Sequence, residues 1–421
     1  MKKREFLGKI AKNNTPCTVC GKAHTVFPDN IVMSANALEQ LPTVISELGE
    51  FKKVVMICDY NTYEVAGKHA EELCDFSRVI KLDPVGLHPT EKAVATVNEG
   101  LDADLLVAVG SGTIHDITRY VAFTRGINFV SVPTAASVDG YVSNVAVMTW
   151  CGTKKTLPAV PPIAMVADTN IIAKAPYELT ASGIGDMIGK YTALFDWRFA
   201  HMLTGEYICD RIIDMEEAAL REVVDNLEAI KAQDTNAIEA LMYALVLSGL
   251  AMQMVGNSRP ASGAEHHISH FIEMGVMVKN NEAYHGEKVG VATALVVERY
   301  FDVLAKDLAE RDFLERPDSN ETVLRSRFGE LADELIKENT PDPLLLVDKK
   351  ILLEKWSDIQ KLANDTLPNA QKVREFLASS GCSVTLTDIK VDEAIKNDIV
   401  SLSPLVRNRL TFMRTIRLLN R

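Results

Sequence analysis

A chain of 421 residues that is 47% hydrophobic and 24% charged has the make-up of a folded globular protein of two or three domains, which excludes a disordered, collagen-like or coiled-coil chain. With 45 Lys and Arg against 57 Asp and Glu the net charge is −12, a surface that repels phosphate backbones and anionic lipid and so argues against nucleic acid or membrane as partners. No apolar run is expected to reach the about 18–20 residues that a bilayer requires. The basic stretch 1–14 has no apolar centre of the kind a signal peptide needs, and seven scattered cysteines, an odd number, suit the reducing cytoplasm better than a disulfide framework.

In chain order, residues 34–48 and 62–73 carry helical spacing, and near-continuous apolar runs at 53–59, 105–110, 129–134 and 163–168 read as buried strands. Such strands between helices indicate a parallel sheet covered on both faces. After Pro176 the strand signal fades, and 177–231, 235–255, 263–274 and 287–311 show helical spacing. Residues 302–375 are richer in charge and read as surface helices, with a loop at 338–343. The expected architecture is an α/β domain followed by an all-α domain with a cleft between them, clefts being preferred ligand sites.

Three motifs carry chemistry. In Val109-Gly110-Ser111-Gly112-Thr113-Ile114-His115-Asp116 a strand ends, small residues turn the chain and a helix begins, so backbone N–H groups face an anion and glycine permits close approach. The competing reading is a plain tight turn, since the three-glycine dinucleotide fingerprint is missing. Val132-Pro133-Thr134-Ala135-Ala136-Ser137-Val138-Asp139-Gly140-Tyr141-Val142-Ser143 follows the next strand and falls on the same carboxyl edge, where open α/β sheets bind ligands. It reads equally as an ordinary polar loop. Four of the nine histidines, His266, His267, His270 and His285, lie within 20 residues. His266 and His270 are spaced i, i+4 and share one helix face, and His285 opens a loop-to-helix boundary. Such a cluster fits a metal or acid–base site, with imidazole suiting Zn²⁺, Ni²⁺ or Fe²⁺. Asp186, after two glycines in Gly183-Ile184-Gly185-Asp186, is either the carboxylate ligand or a helix N-cap. Cys17-Thr18-Val19-Cys20 with His24 looks like half a zinc knuckle. With no second such pair, two thiols in an N-terminal segment is the preferred reading.

These motifs in this order resemble the sn-glycerol-1-phosphate dehydrogenase family of bacteria and archaea, within the group that holds glycerol dehydrogenase, iron-type alcohol dehydrogenases and 3-dehydroquinate synthase. The resemblance spans about 25–300 and is strongest at 110–116, 133–143, 185–197 and 258–290. It includes Ser258-Arg259-Pro260-Ala261-Ser262-Gly263-Ala264-Glu265-His266-His267-Ile268-Ser269-His270 and His285-Gly286-Glu287-Lys288-Val289-Gly290. It implies an N-terminal extension at 1–24, an α/β dinucleotide-binding domain at 25–177 and a helical metal and substrate domain at 178–421, a dehydroquinate synthase-like fold. It implies reversible reduction of dihydroxyacetone phosphate to sn-glycerol 1-phosphate with NADH or NADPH and one divalent ion, Ni²⁺ or Zn²⁺. It further implies a cytoplasmic homo-oligomer, a dimer first, in phospholipid metabolism.

Carried onto this chain, Asp186, His266 and His285 match the metal ligands. Gly112, Thr113, Ile114, His115 and Asp116, with Thr134, Ala135, Ala136 and Ser137, match the dinucleotide loops, and Asp59 and Ser143 add cofactor contacts. Asp139, Asp186 and His270 match substrate-contacting and catalytic positions, with His270 placed to help a proton reach the substrate oxygen. His267 has no matching role and reads as a residue behind the ligands or on the surface. Lys190 and Arg259 are the candidate donors to the substrate phosphate from position alone. Rival readings are a glycerol or alcohol dehydrogenase, which needs no phosphate pocket; a dehydroquinate-synthase-like cyclase, which needs a larger basic one; and a metal- or nucleotide-sensing protein without turnover.

Overall fold

The computed structural model describes residues 15–28, 30–279, 281–314 and 320–420. The basic stretch 1–14, and with it most of the expected N-terminal extension, lies outside them. The described residues divide into two compact units: those within 1–184 and 218–257, and those within 185–217 and 258–421.

In the first unit, six strands among the described residues form one parallel sheet: β1 (Asn30–Ser34), β2 (Val54–Asp59), β3 (Arg78–Leu82), β4 (Leu105–Gly110), β5 (Asn128–Pro133) and, after a hairpin, β8 (Ala164–Asp168). Their order across the sheet is β1-β8-β5-β4-β2-β3. The inner strands β2 and β4 are buried at every position, as their continuous Val, Leu, Ile and Met predict. The four expected strands are all present. β1 and β3 went unread because they are edge strands, and β3 is fully buried at only two of its five positions. The hairpin of β6 (Val145–Trp150) and β7 (Thr153–Pro158) also went unread. Its two-residue turn is Cys151-Gly152, both at positive φ (51° and 74°), where Asn-Gly is the usual signal.

Helices cover both faces. Residues of α1 (Leu41–Leu48) and of the helical turn after β2 join one apolar layer. Those of α2 (Glu91–Asn98) and α3 (Gly112–Arg125) join the other. The segments that follow β2 and β4 therefore leave the sheet on opposite faces. That makes the carboxyl ends of these two neighbouring strands the topological switch point, the usual ligand crevice of such a sheet.

The expected single stretch 177–231 is four helices, including α4 (Tyr177–Ile188), α5 (Lys190–Thr204) and α6 (Asp210–Asp225). Gly205, at φ 69°, ends α5. The structural units also break with the expected boundary at 177. The first unit runs on to residue 184 and regains 218–257. The reason is α7 (Thr235–Val255), apolar nearly all round, which packs on the short helical turn Asp139–Val142. This helix corrects the expectation that no run is long enough to cross a bilayer. It meets the length and hydropathy criteria, and 83% of its apolar window is buried inside the protein, as for a core helix.

The second unit is helical. α8 (Ala264–Glu273), α9 (His285–Leu304) and α10 (Lys349–Thr366) contribute, with α5, to its packed interior, which is built on Phe195, Phe199, Tyr300, Trp356 and Phe412, and α11 (Ala370–Ser379) packs on α9. The described residues between 302 and 375 are mostly helical as expected, with irregular stretches near 305–309 and 339–342. They also deliver Leu324, Leu352, Trp356 and Ile359 to that interior, so they are more than surface cover.

Candidate active site

At the switch point of the first unit, β2 ends in Asp59 and β4 in Gly110. Asp59 is 8% exposed and caps the next helical turn: its Oδ1 accepts from Thr62 N at 2.7 Å, and Thr62 Oγ1 accepts from Asp59 N at 3.0 Å. After β4, Ser111 is the N-cap of α3 and makes no side-chain capping bond. The first N–H groups of this 14-residue helix therefore have no helical partner and face the carboxyl edge, as an anion site requires. Glycine is demanded here by packing. A Cβ on Gly112 would lie 2.9 Å from Val138 Cγ2, and one on Gly110 2.7 Å from Ile114 Cβ.

His115 and Asp116 support this loop from within. The His115 Nδ1–H donates to Ser111 O at 3.0 Å, so Nε2 accepts from Ser131 Oγ at 2.8 Å. Burial pushes the His115 ring down to about 3, and it is neutral. Asp116 pairs with the buried Arg119 at 3.1 Å. That guanidinium also donates to Val145 O, Tyr141 O and Gly140 O, tying α3 to the 139–145 loop. Thr134 N donates to Gly110 O at 3.1 Å, so the two loops touch. Tyr141 Oη donates to Ala135 O at 2.6 Å and meets Ser137 Oγ at 2.9 Å. Ser182 Oγ on α4 donates to Ser137 O at 2.9 Å, while Gly183 beside it leaves room for Ala136 O, 2.0 Å from where a Cβ would stand. Asp139 Oδ2 accepts from Ser248 Oγ of α7 at 2.9 Å, and Ser143 Oγ accepts from Val145 N at 3.2 Å.

In the second unit the polar centre is built on α4, α8 and α9. Asp186 lies within α4 and is fully buried, which removes the N-cap alternative. Gly185 explains its position: a Cβ there would be 2.0 Å from Gly286 O, so only glycine lets α4 meet the start of α9. His285 is the first residue of α9. Ligand atoms of Asp186, His266 and His285 lie within 4.8 Å of one another. His266 Nε2 is 3.6 Å from Asp186 Oδ1. The rings of His266, His270 and His285 form a triangle with centroids 5.2–6.0 Å apart.

Each of the two imidazoles in the trio is held from behind by a glutamate. The His266 Nδ1–H donates to Glu265 Oε1 at 2.8 Å, and the His285 Nδ1–H to Glu273 Oε1 at 2.9 Å. Both Nε2 lone pairs are thereby directed away from the glutamates, the arrangement by which carboxylates orient histidine ligands. Burial pushes the Glu265 carboxyl up, but hydrogen bonds from His266, Thr192 Oγ1 and Gly263 N outweigh it and hold it low. The donor set of one carboxylate and two oriented imidazoles fits a divalent ion with positions left for substrate. Reading the sequence did not find Glu265 and Glu273, though both lie beside or within the histidine run.

His270 is different. Its Nδ1 accepts from Arg407 Nε at 3.2 Å and Nη2 at 3.1 Å. A guanidinium only donates, so the ring hydrogen is on Nε2. Burial, then the Arg407 charge, holds the ring well below its usual range and keeps it neutral. His267 corrects the surface reading. It is buried, and burial, then the charges of Arg409, Arg407, Arg414 and Arg259, hold its ring well below its usual range.

The expected phosphate donors are engaged elsewhere. Lys190 is fully buried, with Nζ 3.3 Å from Asp186 Oδ1 and 3.2 Å from Ala261 O. Arg259 forms a two-pronged pair with Glu206 and donates to Leu410 O at 2.7 Å. The cations that sequence reading missed are Arg407 and Arg409, in the segment after residue 300 that no motif marked. Burial, then neighbouring Arg259 and Arg407, brings the Arg409 guanidinium down to about 9, the mark of crowded positive charge.

A parallel α/β sheet with loops at its switch point, and a buried carboxylate with two oriented imidazoles, fit the class of metal-containing NAD(P)-dependent dehydrogenases. A family model described as iron-containing alcohol dehydrogenase matches residues 32–176. The chain belongs to the glycerol-1-phosphate dehydrogenase family. It is 31% identical to the Bacillus licheniformis glycerol-1-phosphate dehydrogenase (NAD(P)+), over 98% of this chain and 94% of that one. It is 39% identical to the Bacillus velezensis protein of that name, over 92% and 91%, and 35% identical to the one from Pyrococcus furiosus, over 64% and 78%. Among solved structures, a 1,3-propanediol oxidoreductase (TM-score 0.62, 16% identity, 92% and 95% covered) shares the fold. So does a probable glycerol dehydrogenase from Sinorhizobium meliloti (0.59, 18%, 93% and 97%).

Proposed function

We propose that this chain reduces dihydroxyacetone phosphate reversibly to sn-glycerol 1-phosphate with NADH or NADPH. The carrying observation is the Asp186, His266 and His285 cluster with a glutamate behind each histidine. Membership of the family supplies the substrate. Asp186, His266 and His285 hold one divalent ion, Ni²⁺ or Zn²⁺. A bound ion supplies Lewis-acid polarisation of a carbonyl, and a bound nicotinamide supplies the hydride.

The protein's own residues do the rest. Backbone N–H groups of Gly112, Thr113 and Ile114 receive the pyrophosphate, with His115 and Asp116 bracing that turn. Residues 134–137 and Ser143 line the nucleotide, and Asp59 flanks it at the end of β2. His270 presents its Nε2–H to the substrate's C2 oxygen as a fixed hydrogen-bond donor, where negative charge grows during the reaction. Asp139 contacts substrate hydroxyls, and Asp186 stands near them. The positive charge that Arg407 and Arg409 place beside the histidines favours a phosphorylated substrate over a neutral one. The enzyme works as a cytoplasmic homo-oligomer, a dimer first.

The test is a metal-reconstituted assay of nicotinamide oxidation with the product enantiomer scored. Dihydroxyacetone phosphate should exceed dihydroxyacetone by several orders of magnitude in kcat/KM, in kcat as well as KM, because the remote phosphate orients the carbonyl. Equal turnover of the two would make the chain a glycerol dehydrogenase instead.

A further inference from the structure

Outside the active site, one group of side chains in the first unit has the make-up of a metal centre. Cys17, Cys20 and His24 present ligand atoms that all lie within 4.8 Å of one another. The local backbone is a hairpin turn. Pro16 bridges Ala23 in antiparallel fashion, Cys17 N donates to Lys22 O at 2.8 Å, Gly21 N donates to Cys17 O at 2.8 Å, and Gly21 takes φ 73°. A turn of this kind brings two cysteines three apart onto one side and aims backbone N–H groups at the first sulfur.

His24 is oriented as a ligand. Its Nδ1 faces Met254 O at 3.1 Å, and a carbonyl only accepts, so Nδ1 carries the hydrogen and Nε2 the lone pair. Nε2 lies 3.3 Å from Cys20 Sγ. A tetrahedral zinc ion, with Zn–S near 2.3 Å and Zn–N near 2.0 Å, holds such a sulfur and nitrogen about 3.5 Å apart. As in His266 and His285 of the proposed catalytic metal site, an oxygen fixes the Nδ1–H and leaves Nε2 beside the other ligand atoms.

We infer that Cys17, Cys20 and His24 bind a second, structural Zn²⁺, independent of the catalytic ion. Two thiolates and one imidazole are a soft donor set that prefers Zn²⁺ to oxygen-seeking cations. Backbone N–H groups of Cys20 and Val19 face the Cys17 sulfur, a setting that suits the thiolate a metal needs. Binding displaces the thiol protons to solvent. Because His24 is bonded to Met254 on α7, and Phe27 N donates to Gln253 Oε1 at 2.8 Å, the ion pins the 15–28 segment to that helix.

The experiment counts metal in the full-length protein. Zinc-loaded wild type should hold two ions per chain, Cys17→Ser/Cys20→Ser one, and His266→Ala one. X-ray absorption of zinc in His266→Ala should show at least two sulfur neighbours. A third sulfur would identify one of the five other cysteines as the closing ligand, and a light neighbour would identify water; both support the site. Cobalt in place of zinc should give a thiolate charge-transfer band in wild type and His266→Ala and none in the double cysteine variant. If that variant does not fold, chelation of His266→Ala should expose two thiols to a colorimetric reagent that were protected before. One ion per wild-type chain, zinc without sulfur neighbours, or a Cys17–Cys20 disulfide in protein purified with reductant overturns the inference. The His266→Ala chain isolates this ion, so failure here leaves the catalytic reading untouched.

Discussion

Glu273 Oε1 accepts the Nδ1–H of His285 at 2.9 Å, and it also lies 3.5 Å from Lys288 Nζ on the next turn of α9. The glutamate is the last residue of α8 and the histidine the first of α9, so one hydrogen bond joins the ends of two helices and sets the direction of a ligand.

Removing that orientation should weaken the metal without unfolding the protein. Glu273→Gln keeps a carbonyl oxygen for the His285 Nδ1–H but loses the charge, and metal affinity should fall about 10–100-fold, the usual effect of such partners. Competitive chelator titration measures it. Unchanged affinity would show that Glu273 does not orient a ligand.

Gly185 should tolerate no side chain. In Gly185→Ala the new Cβ meets Gly286 O, a backbone atom that cannot swing aside, so α4 must part from α9. Stability should fall by about 1–3 kcal/mol, and metal affinity should fall with it, since Asp186 and His285 are the neighbours of these two glycines. Gly140→Ala, with open space at its Cβ, is the control for stability. Wild-type denaturation and metal titration curves for Gly185→Ala would refute the account.

His270 should separate chemistry from metal binding. His270→Ala removes a donor to the substrate oxygen, and kcat should drop about 10²–10³-fold with metal content intact. If the metal is lost as well, His270 is a ligand and its role has been exchanged with one of the trio.

Stability should carry a signature of Asp196. Burial raises its carboxyl to about 7, with the Phe412 N–H, the Glu265 charge and the Tyr300 hydroxyl as smaller influences. Its Oδ1 accepts from Phe412 N at 2.9 Å and Tyr300 Oη at 2.8 Å, and Oδ2 from Ala264 N at 2.9 Å. A carboxyl ionising near 3.9 when unfolded and near 7 when folded binds more protons in the folded state between those values. Its contribution is therefore complete below about pH 4 and is lost as pH rises to about 7. Urea denaturation at pH 5 and pH 8 should show wild type losing more stability across that interval than Asp196→Asn. Equal losses would mean that Asp196 ionises normally.

Local pattern in the sequence determined much of this protein. Continuous apolar runs specified the inner strands β2, β4, β5 and β8. The Gly110 to Asp116 composition specified a strand-to-helix turn, and the i, i+4 spacing of His266 and His270 placed both on one face of α8, because these features depend on neighbours within a few residues. Tertiary structure alone decided what depends on distant pairs. It brought Asp186 to His266 across 80 positions of chain by the close passage of Gly185 and Gly286. It buried Lys190 against Asp186, tied Arg259 to Glu206, and set Arg407 against His270, so the cations that looked available by position are bound and the ones that crowd the histidines come from a stretch without any motif. It also returned α7 to the first unit. A hydrophobic period says that a face is buried; only packing of the whole chain says against what, and the charge around a histidine is set by whichever residues that packing brings within a few ångströms.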